Sequence, residues 1–284
     1  MRIARRRAVG APEEHFRAVG YRSHPRAGAW ALAFAVAFGG AGTGRTTILH
    51  VPFPFASIQS AIQSSVSDDT VLVERGTYVE SIDFLGREIL VTSQYPFTGD
   101  SLDIGQTVIT PGPVLNTPVA RFTSGEGRAA KLAGLTITGG SGSAGGGIQC
   151  QDASPTLEDL WIVDNHAQSE GGGIYALGGA PLVNRCRIAS NDAPGDGGGI
   201  STIYSQIEVR GCDIHDNRCG YRGAGLFCED ATMVIDGNRI VRNAVIGPSA
   251  YNGGGITSRN CDPMITNNLI AENNGADYGG GIFY

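Results

Sequence analysis

The tetrapeptide Gly-Gly-Gly-Ile, or its near-equivalent Gly-Ala-Gly-Leu, begins at Gly145, Gly171, Gly197, Gly223, Gly253 and Gly279, at intervals of 26, 26, 26, 30 and 26 residues. Self-similarity at a fixed period confines a chain to architectures that stack one supersecondary unit. An Asn follows each of the first five copies by 20 residues: Asn165, Asn191, Asn217, Asn243 and Asn273. Three residues before each Asn stands an Ile (Ile162, Ile188, Ile214, Ile240, Ile270), and eight before it stand Leu157, Val183, Val209, Ile235 and Ile265. The four extra residues of the long interval therefore fall between Asn243 and Gly253.

The spacing of apolar residues decides what the unit is made of. A helical repeat needs apolar residues at i, i+3, i+4 and i+7 over ten or more positions, whereas here Gly, Asn and Pro interrupt short alternating segments such as Ile235 to Ile240. The unit is built of strands, and 26 residues holding two or three of them make one coil of a solenoid. Each strand then pairs in parallel with its equivalent in the next coil, about 4.8 Å along the axis. Identical residues stack: the Ile row becomes a continuous inner apolar stripe, the Asn row an amide ladder at a corner, and the glycines a second corner where backbones approach closely. Cys186 and Cys212 share an inward row with Leu160, Asn238 and Asn268, five residues before each Asn.

Forty-three glycines in 284 residues, clustered and not placed at every third position, exclude a collagen-like chain, and 41% hydrophobic residues make disorder a poor description. Seven arginines precede residue 27, and Ala29–Phe38 contains no polar side chain. A basic stretch, an apolar run too short to span a bilayer, and small residues up to Ala41 predict a secretory signal at 1–41 with a long basic n-region, with the β-solenoid domain at 42–284. Residues 1–41 hold seven of the 21 basic and two of the 27 acidic residues, so residues 42–284 carry 14 against 25, a net charge of −11. Such a surface repels phosphate backbones, and nucleic acid is not expected as a partner; nor is a transmembrane span.

Upstream of the repeats the same style persists irregularly. Ile58 and Ile62 predict a short amphipathic helix within Ala56–Ser65 that closes the first coil. Strands are expected at Thr70–Val73, Tyr78–Phe84, Glu88–Thr92, Thr107–Thr110, Val119–Thr123 and Leu132–Thr138. The chain stops inside the sixth glycine motif, which predicts further coils beyond Tyr284 in the full gene product. Of the six cysteines, Cys219 and Cys228, flanking a Gly-rich corner, are the expected disulfide, and Cys186 and Cys212 are expected as stacked free thiols.

From Ile48 to Tyr284 the chain resembles secreted bacterial right-handed parallel β-helix proteins of the pectin-lyase-like superfamily. The stretch from the helix through DDTVLVERGTYVESIDFLGREILVTS to GLTITGG, followed by the GGGI and IxxN repeats, carries the resemblance. The repeats are also similar to those of chlamydial polymorphic outer-membrane proteins. The resemblance implies an all-β, single-stranded right-handed parallel β-helix, and it is almost silent on activity.

Outward positions beside each Asn form one surface strip. It reads Asp164, Ser190, Asp216, Arg242, Glu272 just before the Asn and His166, Asp192, Arg218, Ala244, Asn274 just after. Pectate lyases hold calcium with acidic residues and abstract a proton with an Arg. That likeness makes Asp164, Asp192 and Asp216 the candidate calcium ligands and Asp192, Arg218 and Arg242 the candidate catalytic set. Charges of alternating sign also suit any solvated wall. Tyr221 and Tyr251, with Tyr278 one position away, form a candidate row for stacking on sugar rings, with His166 as a polar neighbour. Uniform coils without long loops as cleft walls favour a non-catalytic secreted or cell-surface module for adhesion, carbohydrate binding or structure, with an extracellular glycan or cell-surface component as partner and no cofactor. The rival is a polysaccharide lyase or hydrolase, calcium-dependent if a pectate lyase, that acts on acidic glycans.

Overall fold

The computed structural model describes residues 46–112, 114–247, 253–275 and 279–284. The expected signal segment at 1–41, Tyr251 and Tyr278 lie outside the described residues.

Residues from Ile48 onward wind into an all-parallel, right-handed β-solenoid. One sheet has nine strands and two have eight, each strand bonded to its equivalents in the coils before and after. A typical coil runs through Ile174–Leu177 in the first wall, Leu182–Asn184 in the second and Arg187–Ala189 in the third. Its strands pair 26 residues on with Ile200–Ile203, Gln206–Arg210 and Asp213–His215. After the long interval the offset becomes 30, as in Ile240 opposite Ile270.

Alternation along these short strands places every second side chain inside. The row Ile137, Ile162, Ile188, Ile214 and Ile240 is in register and fully buried. Ile148, Ile174, Ile200, Leu226 and Ile256 form the matching row of the first wall. Each such side chain gains about 1.5–3 kcal/mol by leaving water, so the stacked rows are the main source of cohesion.

The corners use the left-handed backbone region. The residue before each Asn lies there at Asp164, Ser190, Asp216, Arg242 and Glu272, with φ of 53°, 56°, 56°, 55° and 57°. A non-glycine residue in that conformation costs roughly 1–2 kcal/mol, and the following Asn supplies the compensating bonds. Asn191 donates Nδ2–H to Asn217 Oδ1 (3.0 Å) and to the Ile162 carbonyl (2.9 Å), while its own Oδ1 accepts from Asn165 N and Nδ2 at 3.1 and 3.0 Å. The pattern repeats through Asn217, Asn243 and Asn273. A second, shorter ladder runs along the Cys–Asn row: Cys186 N–H meets Cys212 Sγ at 3.4 Å, Cys212 N–H meets Asn238 Oδ1 at 2.8 Å, and Asn238 Nδ2 donates to Asn268 Oδ1 at 3.0 Å.

The glycine motif does not form a separate corner but packs against the Asn ladder in the same turn, a Cβ on Gly173 falling 3.1 Å from Asn191 Nδ2, and its first glycine has positive φ, for example 65° at Gly171. The third is required by crowding, since a Cβ on Gly173 would lie 2.6 Å from the Gly199 carbonyl oxygen; the second is as tight at Gly172, where a Cβ would lie 2.5 Å from the Gly198 carbonyl oxygen, but one coil accommodates the buried Ala224 there.

The predicted N-terminal helix spans Ile58–Ser64, with a Ser57 capping box and with Ile58, Ala61 and Ile62 buried. The Glu80 carboxylate accepts the N–H groups of Ile58 and Gln59, both at 2.9 Å. Two expected strands prove to be pairs. Tyr78–Phe84 divides into Gly76–Val79 and Ile82–Asp83, and Leu132–Thr138 into Lys131–Ala133 and Thr136–Thr138 around Gly134, whose φ is 64°. Two helices, Tyr95–Thr98 and Ser101–Gln106, were not expected. The second is tied down by Arg75, which bonds Asp103 at 2.6 Å and the N-cap Asp100 at 2.8 Å, and Thr98 of the first donates its hydroxyl to Asp103.

Candidate functional site

The strip beside the Asn ladder forms as its spacing predicts. Asp192 and Arg218 are directly in register on neighbouring coils, and Arg218 is in register with Ala244. A hollow of about 590 Å³ is lined by Ser190, Asn191, Asp192, Asp216, Arg218 and Ile246, so three of the expected site residues share one surface. Its two carboxylates are engaged by side chains from outside the lining. Arg242 grips Asp216 through two bonds of 2.9 and 2.7 Å, and His215 Nδ1 lies 2.7 Å from the same carboxylate. The Arg242 hydrogen bonds, ahead of those from His215, hold Asp216 down to about 2. His166 Nδ1 stands 2.8 Å from Asp192 Oδ2.

Asp164 and Asp216 occupy equivalent positions two coils apart, about 9.6 Å, whereas two oxygens on one calcium each lie about 2.3–2.6 Å from it. Among the described residues no three His, Cys, Asp or Glu side chains converge as a metal-binding group.

A second and larger hollow, about 800 Å³, opens beside the glycine corner, lined by Gln168, Ser169, Glu170, Pro194, Gly195, Asp196, Tyr221 and Arg222. Three loop segments stack to form it. Gly195 N–H donates to the Ser169 carbonyl at 2.7 Å, and Tyr221 N–H to the Gly195 carbonyl at 3.1 Å. Glu170, Asp196 and Arg222 each immediately precede a glycine corner, so they stand one above another on three successive coils.

From there they reach over the outer face of the first wall. Alternation points Ser201 and Phe227 outward, yet both are fully buried. Arg222 lies over the Phe227 ring with its guanidinium carbon 4.8 Å from the centroid, and it binds Asp196 through bonds of 3.1 and 2.7 Å. Asp196 is only 5% exposed. Glu170 accepts a hydrogen bond from Ser201 Oγ at 3.3 Å. Burial, and after it repulsion from Asp196, raises its carboxyl above the ordinary range. Tyr221 contributes a ring that is 47% exposed.

Residues 146–284 match the family model of the right handed beta helix region. The β-helix is also similar to two solved structures. A pectin methylesterase in complex with hexasaccharide VII is 12% identical, with 78% of this chain and 79% of that chain covered and a TM-score of 0.46. An alginate lyase from Paenibacillus sp. str. FPU-7 is 12% identical, with 84% and 99% covered and a TM-score of 0.33. No curated protein matches the chain in sequence. No helix among the described residues is long and apolar enough to cross a membrane.

Within this β-helix the expected residues separate. Asp192, Asp216 and Arg218 share the smaller hollow. Arg242 is committed to Asp216, and His166 to Asp192. Tyr221 lies in the larger hollow with Glu170, Asp196 and Arg222, which the strip beside Asn does not contain. Their signal was present in the same alignment of repeats, since the position before each glycine corner reads Ala144, Glu170, Asp196, Arg222, Asn252 and Tyr278.

The expected Cys219–Cys228 disulfide is corrected to Cys228–Cys261. Cys219 and Cys228 belong to different walls of the same coil. Cys219 is buried with Ala224 and Val245 in a small separate cluster, while Cys228 faces the main core. Cys186 and Cys212 are free and buried. Burial pushes the Cys219 thiol up to about 12, which leaves it unreactive at neutral pH.

Proposed function

We propose that the protein is a secreted or cell-surface β-helix module that binds carbohydrate, non-catalytically, in the hollow of Glu170, Asp196, Tyr221 and Arg222. The observation that carries this is a cavity of about 800 Å³ spread over three coils, with a half-exposed aromatic ring beside buried polar groups. A volume within about 300–1,000 Å³, an apolar face and a few fixed polar groups suit a ligand of several sugar residues. A binding role is favoured over turnover because the carboxylates nearest to arginines are already clamped: Asp196 by Arg222 and Asp216 by Arg242.

The test is a glycan array on the purified full chain, followed by calorimetry of any hit. Tyr221→Ala should abolish retention while leaving the melting temperature within about 2 °C. Retention unchanged in that variant would remove the hollow from the proposal.

The smaller hollow supports a second reading, a lyase or hydrolase of acidic glycans, because it gathers Asp192, Asp216 and Arg218. Release of unsaturated uronides from polygalacturonate, with and without added calcium and lost in Asp192→Ala, would replace binding with catalysis.

A further inference from the structure

The charge of the larger hollow selects among sugars. Asp196 is neutralised by Arg222 at 2.7 Å, and Glu229, on the same wall, by Arg259 at 2.8 Å. Glu170 has a hydroxyl partner, Ser201, and no ion-pair partner among the described residues. The groups facing the hollow therefore leave one uncompensated carboxylate. Arg222 offers an incoming anion little, since its Nε and Nη2 are occupied by Asp196 and its plane rests on Phe227. The chain around the hollow adds to the bias: residues 42–284 carry 14 basic against 25 acidic side chains. A polyuronide brings a carboxylate on each residue into that field and is repelled.

We infer that the hollow takes a glycan bearing primary amines, of the glucosamine class, with an ammonium group paired to the Glu170 carboxylate and a pyranose face against Tyr221. The inference rests on the proposed carbohydrate-binding role and gives it a ligand class. A half-buried carboxylate without a cation is costly to keep ionised, and burial does raise the carboxyl of Glu170. A ligand ammonium removes that cost, which a neutral sugar does not. The exposed ring of Tyr221 gives the preference for a sugar over a simple polyamine, because a flat aromatic face stacks on the axial hydrogens of a pyranose.

The experiment is calorimetry of the full chain near neutral pH and at low salt with four probes: a glucosamine tetramer, its fully N-acetylated counterpart, a galacturonate tetramer and tetralysine. The expected order is the glucosamine tetramer roughly tenfold tighter than the acetylated one, the gain a charge-assisted hydrogen bond brings, with the galacturonate tetramer weakest. Glu170→Gln should erase the tenfold preference yet still bind the acetylated tetramer, and Glu170→Asp should restore part of it. Retained binding of the neutral sugar shows that the variant is folded. Equal affinity for the amine and its acetylated form, both lost in Tyr221→Ala, would overturn the charge assignment and leave carbohydrate binding standing. A galacturonate tetramer bound as tightly as the amine would overturn it too. Tetralysine bound as tightly as the glucosamine tetramer would overturn the sugar class. Failure of all three sugars to bind a cooperatively melting chain would remove the carbohydrate-binding role itself.

Discussion

The coils from Gly145 onward and those before it share one cross-section and are held in different ways. In the later coils each corner repeats its bonds, so Asn191 serves the coils on both sides of it at once. In the earlier coils every corner has its own device. The Asp69 carboxylate accepts Thr47 N–H and Val66 N–H at 2.8 Å, the Gln59 amide bridges both backbone groups of Asp83, and the buried Glu126 accepts Gly86 N–H at 2.8 Å and Ser124 N–H at 2.9 Å. Phe84 and Phe122 fill the core of that part with ring centroids 4.2 Å apart. Repetition makes the later coils depend on their neighbours, whereas variety makes each earlier corner a local matter.

The harshest way to probe that dependence is Ile214→Asp. It places a charge in a fully buried row between Ile188 and Ile240, where neither neighbour can pair it. Loss of more than about 4 kcal/mol is expected, seen as insoluble protein or as an early transition in denaturant. Near-normal stability would mean that the row is not continuous.

Asn217→Ala tests the ladder. It leaves Asn191 N–H and Nδ2–H without their acceptor and takes the Nδ2–H donor from Asn243 Oδ1 and from the Ile188 carbonyl, while the backbone N–H of residue 217 still reaches Asn243, at a cost of about 1–3 kcal/mol in chemical denaturation. Hydrogen exchange should quicken in the coils on both sides of residue 217; acceleration confined to a single coil would break the contrast drawn above.

Ser57→Ala is the counterpart in the irregular part. Loss of the bond to Ser60 N–H should cost about 1 kcal/mol, with faster exchange limited to the Ile58–Ser64 helix.

The smallest effect is expected for Asp216→Asn. Both partners are more than a third exposed, at 41% and 43%, so the pair contributes less than about 1 kcal/mol after screening. The folded carboxyl is depressed to about 2, chiefly by the Arg242 hydrogen bonds. The contribution is therefore complete above the ordinary carboxylate range and fades as pH falls toward 2, where wild-type and variant stabilities should converge. A gap that widens with acidity would contradict the sign.

Period, strand type and the identity of the stacked rows were legible in the amino-acid order because a solenoid repeats its environment every 26 residues, so each coil reports the same constraint. Asn217 and Ile214 could be placed from spacing alone. The bends inside Tyr78–Phe84 and Leu132–Thr138 and the helices at Tyr95–Thr98 and Ser101–Gln106 could not, since they occur where no second coil repeats them. Nor could the partner of Cys228, because strand alternation put Cys219 into a separate cluster while the next coil brought Cys261 within bonding reach. Spacing placed the carboxylates of the strip but not their partners; only side chains folded in three dimensions show that Asp216 is gripped by Arg242. The larger hollow was decided by the same kind of event. Glu170, Asp196 and Arg222 leave the corner and cover the outer face of a wall, burying Phe227 where strand alternation alone would expose it, and backbone periodicity carries no information about how side chains close over a surface.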